Sequence, residues 1–348
     1  MALLMTDGFD IYTNVQTDML RRGWSNMTSA STPVPGRSGG RALGCGNSNL
    51  SGSRISKSWG TQVNAATFGV AVYLQNLANI CTFGFQDSVG AGQVNLVINT
   101  AGSVQVARNF NTTIASGTPG TVTGGAWNYF EFKTVVGSFG SLEVRMNGSV
   151  LYSASSLSTQ TTSFGLGGFF VVGNGIGSGV NGHWFDDLYV VDSSGTFNNT
   201  FLGDCRIETL VPTADATVSG WTPNVGSLSY ATLDETTMTN VNSSDYITAA
   251  SSGAFARFDM SNLSTSPNSV FGTSLFAFIN KSDTGQAAAR LNLKSSTSVN
   301  TGTLAYPAVN FGTFGTTITE LTNSDPATGA AWAGAGINAV QVEVERGG

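Results

Sequence analysis

Short runs of apolar or alternating residues recur along the chain with turn signals between them, and this pattern most constrains the fold. Between residues 67 and 191 they include TFGVAVYL, ICTFGFQ, VNLVI, SVQVAR, WNYFEFKTVV, LEVRM, SVLYS and FGLGGFFVVG. Turn signals fall about every ten residues, and no helical pattern separates the runs. Asn147-Gly148 between two such runs predicts a hairpin, because both turn positions need a positive φ. Short antiparallel strands without intervening helices indicate a sandwich of two sheets.

The same pattern continues beyond residue 196, so we predict an all-β chain of two β-sandwich domains. The first domain, residues 1–196, holds one plausible helix over residues 14–22, where Val15, Met19 and Arg22 recur at helical spacing. A composition break in SSGTFNNT, residues 193–200, predicts the domain boundary. In residues 197–348 the runs DYITAA, AFARFDM, SLFAFIN, AAARLNLK and INAVQVEVE predict a second β-sandwich.

Composition and charge exclude several functions. Charged residues make up only 10% of the chain while 41% are hydrophobic, which is typical of a sizeable core beneath a weakly charged surface. The net charge is −6 and no Lys/Arg cluster occurs, so we expect no nucleic-acid binding. No apolar run approaches the roughly 18 residues of a membrane span, and we expect neither a membrane partner nor a secretory signal. Cys45, Cys81 and Cys205 lack metal-ligand spacing and are expected to be reduced, buried thiols.

The segment HWFDDLYVVD, residues 183–192, holds the only histidine beside two aspartates. Successive side chains of a strand point to opposite faces, so Asp186 and Asp187 are predicted to lie apart and to be structural. A glycosidase needs two carboxyls on one side, about 5 Å or about 6.5–9.5 Å apart. The chain also has no E-x-D-x-x-E strand and no G-x-S-x-G turn that precedes a helix. We therefore expect no enzymatic activity.

Six tryptophans offer candidates for stacking on sugars. Trp127 and Trp184 lie within strand patterns and are predicted to be core residues. Trp59, Trp221 and Trp332 lie in stretches rich in Gly, Pro and Ser, where an exposed indole would provide a glycan-binding platform. Packing against the domain is the alternative for each of the three.

Several stretches together resemble a family of bacteriophage virion structural proteins, whose first domain is similar to the laminin G-like, concanavalin-like jelly roll. They are MTDGFDIYTNVQTDMLRRGW, PGRSGGRALG, AWNYFEFKTVVG, GSLEVRMNG, HWFDDLYVVD, FLGDCRIETLVPTADATVSGWTPN and DPATGAAWAGAGINAVQVEVE, and they cover most of the chain. The resemblance implies a jelly roll over residues 1–196. It also implies that Asp7, Phe9 and Asp10 of the first strand region lie near Asp186 and Asp187.

If these strands meet, Asp7, Asp10, Asp186 and Asp187 provide oxygen ligands of the kind that Ca²⁺ takes. The same carboxylates are equally suited to cap strand ends by accepting backbone N–H groups. No other cofactor is expected.

The resemblance and the absence of a catalytic pattern predict a non-enzymatic virion protein, on the capsid surface or in the tail or its fibres. Its partners would be other virion proteins and copies of itself, since virion positions are symmetric. Residues 1–5 and 27–49 are the segments expected to contact neighbouring chains. The alternative is a carbohydrate-binding adhesion module that recognises glycans of the host surface.

Overall fold

The computed structural model describes residues 3–13, 15–25, 32–45, 53–117, 121–173, 182–238, 244–282, 285–306 and 316–347. The chain forms two compact units, Met1–Ile207 and Glu208–Gly348. Of the segments predicted to contact neighbouring chains, residues 1–2, 27–31 and 46–49 lie outside the described residues. In the described part, no helix has the length and apolarity needed to cross a membrane.

The described residues of the first unit form fifteen strands and one helix. They are β1 (Leu3–Asp7), α1 (Val15–Arg21), β2 (Trp24–Ser25), β3 (Thr32–Pro35), β4 (Arg41–Cys45), β5 (Ser53–Val63), β6 (Ala65–Leu74), β7 (Cys81–Asp87), β8 (Gly92–Ile98), β9 (Val104–Arg108), β10 (Thr112–Ser116), β11 (Trp127–Val135), β12 (Gly140–Met146), β13 (Ser149–Leu157), β14 (Leu166–Gly173) and β15 (His183–Asp192). One sheet of eight strands has the order β13-β12-β11-β6-β15-β4-β3, with β1 also paired to β15. The other, of seven strands, has the order β10-β9-β8-β7-β14-β5-β2. This confirms the all-β sandwich.

Aromatic side chains from both sheets form the core between them. Phe68 on β6 is completely buried, and its ring meets the rings of Phe83, Phe85, Phe132 and Phe169 at centroid distances of 5.1–5.9 Å in edge-on geometry. Edge-to-face packing suits the quadrupoles of such rings. Because side chains alternate along a strand, the neighbours of Phe68 on β6 point to the outward face of the eight-stranded sheet.

The local signals in the sequence produce the expected turns. Asn147 and Gly148 take φ values of 50° and 81°, which close the hairpin between β12 and β13. Gly102, with a φ of 70°, ends the turn between β8 and β9. The single predicted helix is present as Val15–Arg21.

The second unit is also built from strands. They are β16 (Pro212–Ser219), β17 (Trp221–Pro223), β18 (Ile247–Ala249), β19 (Phe255–Met260), β20 (Ser269–Val270), β21 (Thr273–Ile279), β22 (Ala288–Ser295), β23 (Ser298–Asn300), β24 (Thr316–Thr322), β25 (Trp332–Ala333) and β26 (Gln341–Gly347), with a 3₁₀ turn at Tyr230–Thr232 and a short helix, α2, at Gly334–Ile337. The main sheet has the order β16-β19-β26-β22-β23. Its inner face, including Phe258 and Leu291, packs against Leu275 and Ile279 of the β21–β24 pair.

Residues 200–207, here the covering segment, extend the first unit past the boundary predicted at residue 196. Gly203 N donates to Glu131 Oε1 at 2.8 Å, and Ile207 N donates to Asp187 Oδ1 at 2.8 Å. Leu202 N donates to the Tyr189 hydroxyl at 3.1 Å. These bonds attach the covering segment to the outward face of the eight-stranded sheet. A composition break marks only a change in residue types, so it did not reveal this attachment.

Candidate functional site

A β-bulge brings the two adjacent aspartates of β15 to one side of the sheet. The register between β15 and β6 shifts between Asp186 and Tyr189, and Asp187 takes a φ of 51°. The extra residue interrupts the strict alternation of faces. As a result, Arg37 reaches both carboxylates: its backbone N donates to Asp186 Oδ2 at 2.8 Å and its Nε to Asp187 Oδ2 at 3.0 Å. The prediction that the two carboxylates lie on opposite faces is wrong, because it assumed a strand without a bulge.

The carboxylates line a small acidic cavity of about 80 Å³. Asp10 joins Asp186 and Asp187 there, and Asp10 Oδ1 accepts a hydrogen bond from Arg41 N at 2.8 Å. The rest of the lining is Ser38, Gly39, Gly40, Arg206 and Ile207. Strand β1 pairs with β15, with Thr6 opposite Tyr189. Of the three residues that the resemblance implied to lie near the aspartate pair, Asp10 therefore does so.

Asp7, the fourth predicted calcium ligand, lies apart from this cavity lining. It is buried, and its carboxylate accepts hydrogen bonds from Phe9 N at 3.0 Å, Tyr12 Oη at 2.7 Å and Trp24 Nε1 at 2.9 Å. In the described ranges, no group of three or more His, Cys, Asp or Glu side chains has a metal-binding arrangement. The four carboxylates accept hydrogen bonds from protein N–H and O–H groups. A calcium ion at this place stays a prediction.

Burial controls the protonation of this cluster. Burial, reinforced by the charge of Asp187, raises the pKa of Asp186 to about 8, against the opposing hydrogen bonds from backbone N–H groups. Burial also raises the pKa of Asp187, although the Ile207 N–H and the Arg37 guanidinium both oppose this shift. The pKa of Asp10 is raised as well, mainly by burial.

We expect the contribution of Asp186 to the stability of the first unit to fall as the pH rises from about 4 to about 8. In this window folded Asp186 still holds a proton that the unfolded chain, with the ordinary pKa of 3.8, has lost. The folded state therefore binds more protons, and the free energy of unfolding drops with pH, by at most about 1.4 kcal/mol per pH unit. Thermal melts of the wild type and of Asp186→Asn test this. The variant should show the shallower decline, and equal slopes would contradict the shifted pKa.

A second feature of the same face is a row of three aromatic rings. Trp127 on β11 and Trp184 on β15 both lie directly opposite Tyr73 on the intervening strand β6. The Tyr73 and Trp184 rings stack at 4.6 Å with an interplanar angle of 22°, and Trp127 lies 5.5 Å from Tyr73. All three side chains are half-buried. Trp127 and Trp184 were predicted to be core residues, but their strand positions point outward, away from the phenylalanine core.

A polar edge borders this aromatic row. Gln75 directly follows the end of β6, two residues after Tyr73, and its Oε1 accepts a hydrogen bond from Gly182 N at 2.7 Å. A Cβ at Gly182 would lie 3.2 Å from Trp184 Nε1, so a larger residue there would crowd the indole. The row therefore combines the stacked Tyr73 and Trp184 rings and the tilted Trp127 ring with a side-chain amide and indole N–H donors.

The three tryptophans that were candidates for glycan binding differ in burial: Trp332 is buried, whereas Trp59 and Trp221 are half-buried. Trp59 lies on β5 and its ring meets Phe85 edge-on at 6.2 Å. Trp332 is 2% exposed within the second unit, so the prediction of an exposed indole is wrong there. Trp221 packs beside Phe258 in that unit. Each of the three is a strand residue, whereas the surrounding Gly and Ser residues had indicated a loop.

His183 takes no part in the outward face. It is completely buried opposite Cys45 of β4, and burial lowers the pKa of its imidazole to about 4. Cys45 and Cys81 are buried free thiols, and Cys205 in the covering segment is a half-buried one. The histidine therefore belongs to the core.

Comparisons with known proteins place the fold but not the family. No family model and no curated protein matches the chain. Among solved structures, the chain is similar to endo-beta-1,4-glucuronan lyase from Trichoderma reesei, with 15% identity, 48% of this chain and 89% of that one covered, and a TM-score of 0.36. It is also similar to alginate lyase Aly36B, with 13% identity, coverages of 53% and 95%, and a TM-score of 0.39. It is similar as well to the carbohydrate recognition domain of Emp47p, with 9% identity, 54% of this chain and 96% of that one covered, and a TM-score of 0.38.

These similarities correct the expectation that the chain has no enzymatic activity. Two of the three structures are polysaccharide lyases. The argument from divergent aspartates fails independently, because the bulge at Asp187 brings the carboxylates together. None of the three is a bacteriophage protein, and the virion resemblance stays a prediction.

Proposed function

We propose that the first unit binds carbohydrate, with Trp127, Tyr73 and Trp184 as the stacking surface. The alignment of three half-buried rings on three neighbouring strands carries this proposal. The ring centroids of Trp127 and Trp184 lie 6.3 Å apart, so the three rings form a compact surface that suits a single sugar ring.

The chemistry of the row suits a saccharide. The apolar C–H face of a pyranose packs on an aromatic ring, while hydroxyl groups need hydrogen-bonding partners at the rim, as in other sites that combine flat apolar walls with a few polar groups. Gln75 and the Trp184 indole N–H stand at this rim. The shared fold with carbohydrate recognition domains and lyases agrees with the proposal without carrying it.

Charge argues against nucleic acid as the stacked ligand. Bases also stack on aromatic rows, but such sites combine the rings with a positively charged groove for the backbone. Here the net charge is −6, and the same outward face carries the acidic cavity around Asp186 and Asp187. A polyanion would be repelled, whereas an uncharged sugar face would not.

The place of this binding is proposed to be a bacteriophage particle, on which several copies contact host glycans. This rests on the sequence resemblance and on a weakly charged surface, which is cheaper to desolvate in protein contacts. Immunogold labelling of purified particles tests the location. Absence of the chain from particles would contradict it while leaving the glycan site untouched.

Substitution of the row is expected to abolish glycan binding. The full chain is screened on a glycan array, and the best ligand is then titrated against Trp127→Ala and Trp184→Ala. We expect each variant to lose at least about tenfold in affinity, since a stacked ring contributes on the order of 1–3 kcal/mol. The matched control is Phe139→Ala, which removes an aromatic side chain that is 87% exposed and lies beyond the end of β11 opposite to Trp127.

The control should bind like the wild type. Equal affinity of all four proteins, or no ligand on the array, would contradict the proposed function. A polysaccharide that contains the best array ligand is also incubated with the protein, and cleavage is measured by the ultraviolet absorbance of unsaturated products, because the fold occurs in lyases.

A further inference from the structure

The hydrogen-bonding groups that the aromatic row leaves free are mostly donors. Among the described residues, no acceptor bonds to the indole N–H of Trp127, the indole N–H of Trp184 or the side-chain NH₂ group of Gln75. All three side chains are half-buried, so they also reach solvent. The Tyr73 hydroxyl, which both donates and accepts, is the other polar group of the row. A ligand that bonds to the N–H groups must therefore supply acceptors.

Two of these donors border one small gap, which exists because residue 182 is a glycine. A Cβ on Gly182 would lie 3.2 Å from Trp184 Nε1 and 3.4 Å from Gln75 Oε1. A distance of 3.2 Å lies within hydrogen-bonding range, so a ligand oxygen in place of that Cβ would accept the indole N–H. The Gln75 amide nitrogen is bonded to the same carbon as Oε1, which places its NH₂ group beside the gap as well.

Two hydrogen bonds hold Gln75 against Gly182. Gln75 N donates to Gly182 O at 3.3 Å, and Gly182 N donates to Gln75 Oε1 at 2.7 Å. Because Gly182 N is a donor, the amide atom that meets it must be the oxygen, and the NH₂ end is left for a ligand. The Trp184 indole is fixed in turn by its stacking on Tyr73 at 4.6 Å. Donors held in place before binding lose little conformational freedom when a ligand arrives.

Charge and hydrogen bonding together narrow the kind of acceptor. A hydroxyl also carries a proton that needs an acceptor, and the free groups at this gap are donors. The carboxylate of a uronic acid only accepts, but it is an anion. The same outward face holds the acidic cavity around Asp186 and Asp187, in a chain of net charge −6. A neutral carbonyl accepts two hydrogen bonds without carrying charge. Sugars carry such a carbonyl in the acetamido group of the N-acetylhexosamines.

We propose that the aromatic row is specific for an N-acetylhexosamine, whose acetamido oxygen accepts hydrogen bonds from Trp184 Nε1 and Gln75 Nε2 at the gap beside Gly182. This inference rests on the proposed function and names the class of sugar that the row binds. The pyranose ring stacks on the row, and the three ring centroids, at most 6.3 Å apart, match one sugar residue.

The class of sugar is tested by titration of the full chain, followed through the indole N–H signal of Trp184 in a nitrogen-15-labelled sample. The probes are the methyl glycosides of N-acetylglucosamine, N-acetylgalactosamine, glucose, galactose and glucuronate. The better of the two N-acetylhexosamines should bind at least about tenfold more tightly than its parent hexose, the ratio expected from two additional hydrogen bonds. It should also bind more tightly than the glucuronate glycoside.

Two variants test the gap itself. Gln75→Glu keeps an oxygen for Gly182 N but replaces the free NH₂ donor with an acceptor, and Gly182→Ala fills the gap with a methyl group. Gly182 takes no positive φ, so its backbone accommodates alanine. Each variant should reduce the preference for the N-acetylhexosamine over the hexose to about twofold or less. The matched control is Gln105→Glu on β9 of the other sheet, which should retain the wild-type preference.

The ratio of the two affinities keeps the test decisive if a variant folds poorly, because misfolding weakens the binding of both sugars alike. Equal binding of N-acetylhexosamine and hexose by the wild type, or tighter binding of the glucuronate glycoside, would overturn the inference and leave carbohydrate binding intact. A best array ligand without an N-acetylhexosamine would do the same. An unchanged preference in both Gln75→Glu and Gly182→Ala would overturn the gap as the place of recognition. Binding of no probe and of no array glycan would contradict the proposed function as well.

Discussion

Arg37→Met is expected to destabilise the first unit by about 3–5 kcal/mol, because it leaves a buried carboxylate without its partner. Arg37 Nη2 lies 2.9 Å from Asp187 Oδ2, and the Asp187 side chain is only 4% exposed. The same guanidinium donates to Asp204 Oδ1 and to Cys205 O of the covering segment, and it lies 5.1 Å from the Tyr129 ring centre. One side chain thus ties the covering segment to the sheet.

Chemical denaturation of wild type and variant measures this loss. Arg145→Met, which breaks a more exposed ion pair with Glu143, is the control and should cost less than about 1 kcal/mol. The deficit of Arg37→Met should shrink at low pH, since a protonated Asp187 needs no cation. Equal losses in the two variants would show that Arg37 does not hold the covering segment.

Phe68→Ala is expected to cost about 3–5 kcal/mol, since it empties the centre of the phenylalanine core. Its ring meets four other rings, from both sheets, and no part of it reaches solvent. For a domain of this size such a loss lowers the melting temperature by roughly 6–20 °C.

Differential scanning calorimetry gives the comparison. Phe139→Ala removes the same side chain from an 87% exposed position and should leave the melting temperature nearly unchanged. A small effect of Phe68→Ala would mean that the two sheets are held together by other contacts, and the account of the core would then need revision.

Local signals made the fold predictable to a large extent. Asn147-Gly148 forms the expected hairpin, and Val15–Arg21 forms the expected helix, because turn chemistry and helical periodicity act over a few neighbouring residues. The strand pattern likewise identified two sheets, since alternation reports which side chains can be buried together.

The site was less predictable because it depends on departures from regular structure. A single bulged residue, Asp187, moves the adjacent carboxylates to one face, and nothing in HWFDDLYVVD marks the bulge. The alignment of Trp127 with Trp184 depends on strand order, since β6 lies between their two strands in the sheet. The two residues are far apart in sequence, so local patterns do not reveal this order. Alternation on β11 and β15 does put each indole on the face opposite the core phenylalanines, a signal that was present in the sequence.

The indole N–H signals of the six tryptophans give the most direct test of carbohydrate binding at the aromatic row. In a nitrogen-15-labelled chain, the saccharide that the protein retains best should shift the signals of Trp127 and Trp184. The signals of Trp59, Trp221 and Trp332 should stay in place, because these indoles pack against cores. Shifts confined to those three, with Trp127 and Trp184 unmoved, would contradict the account.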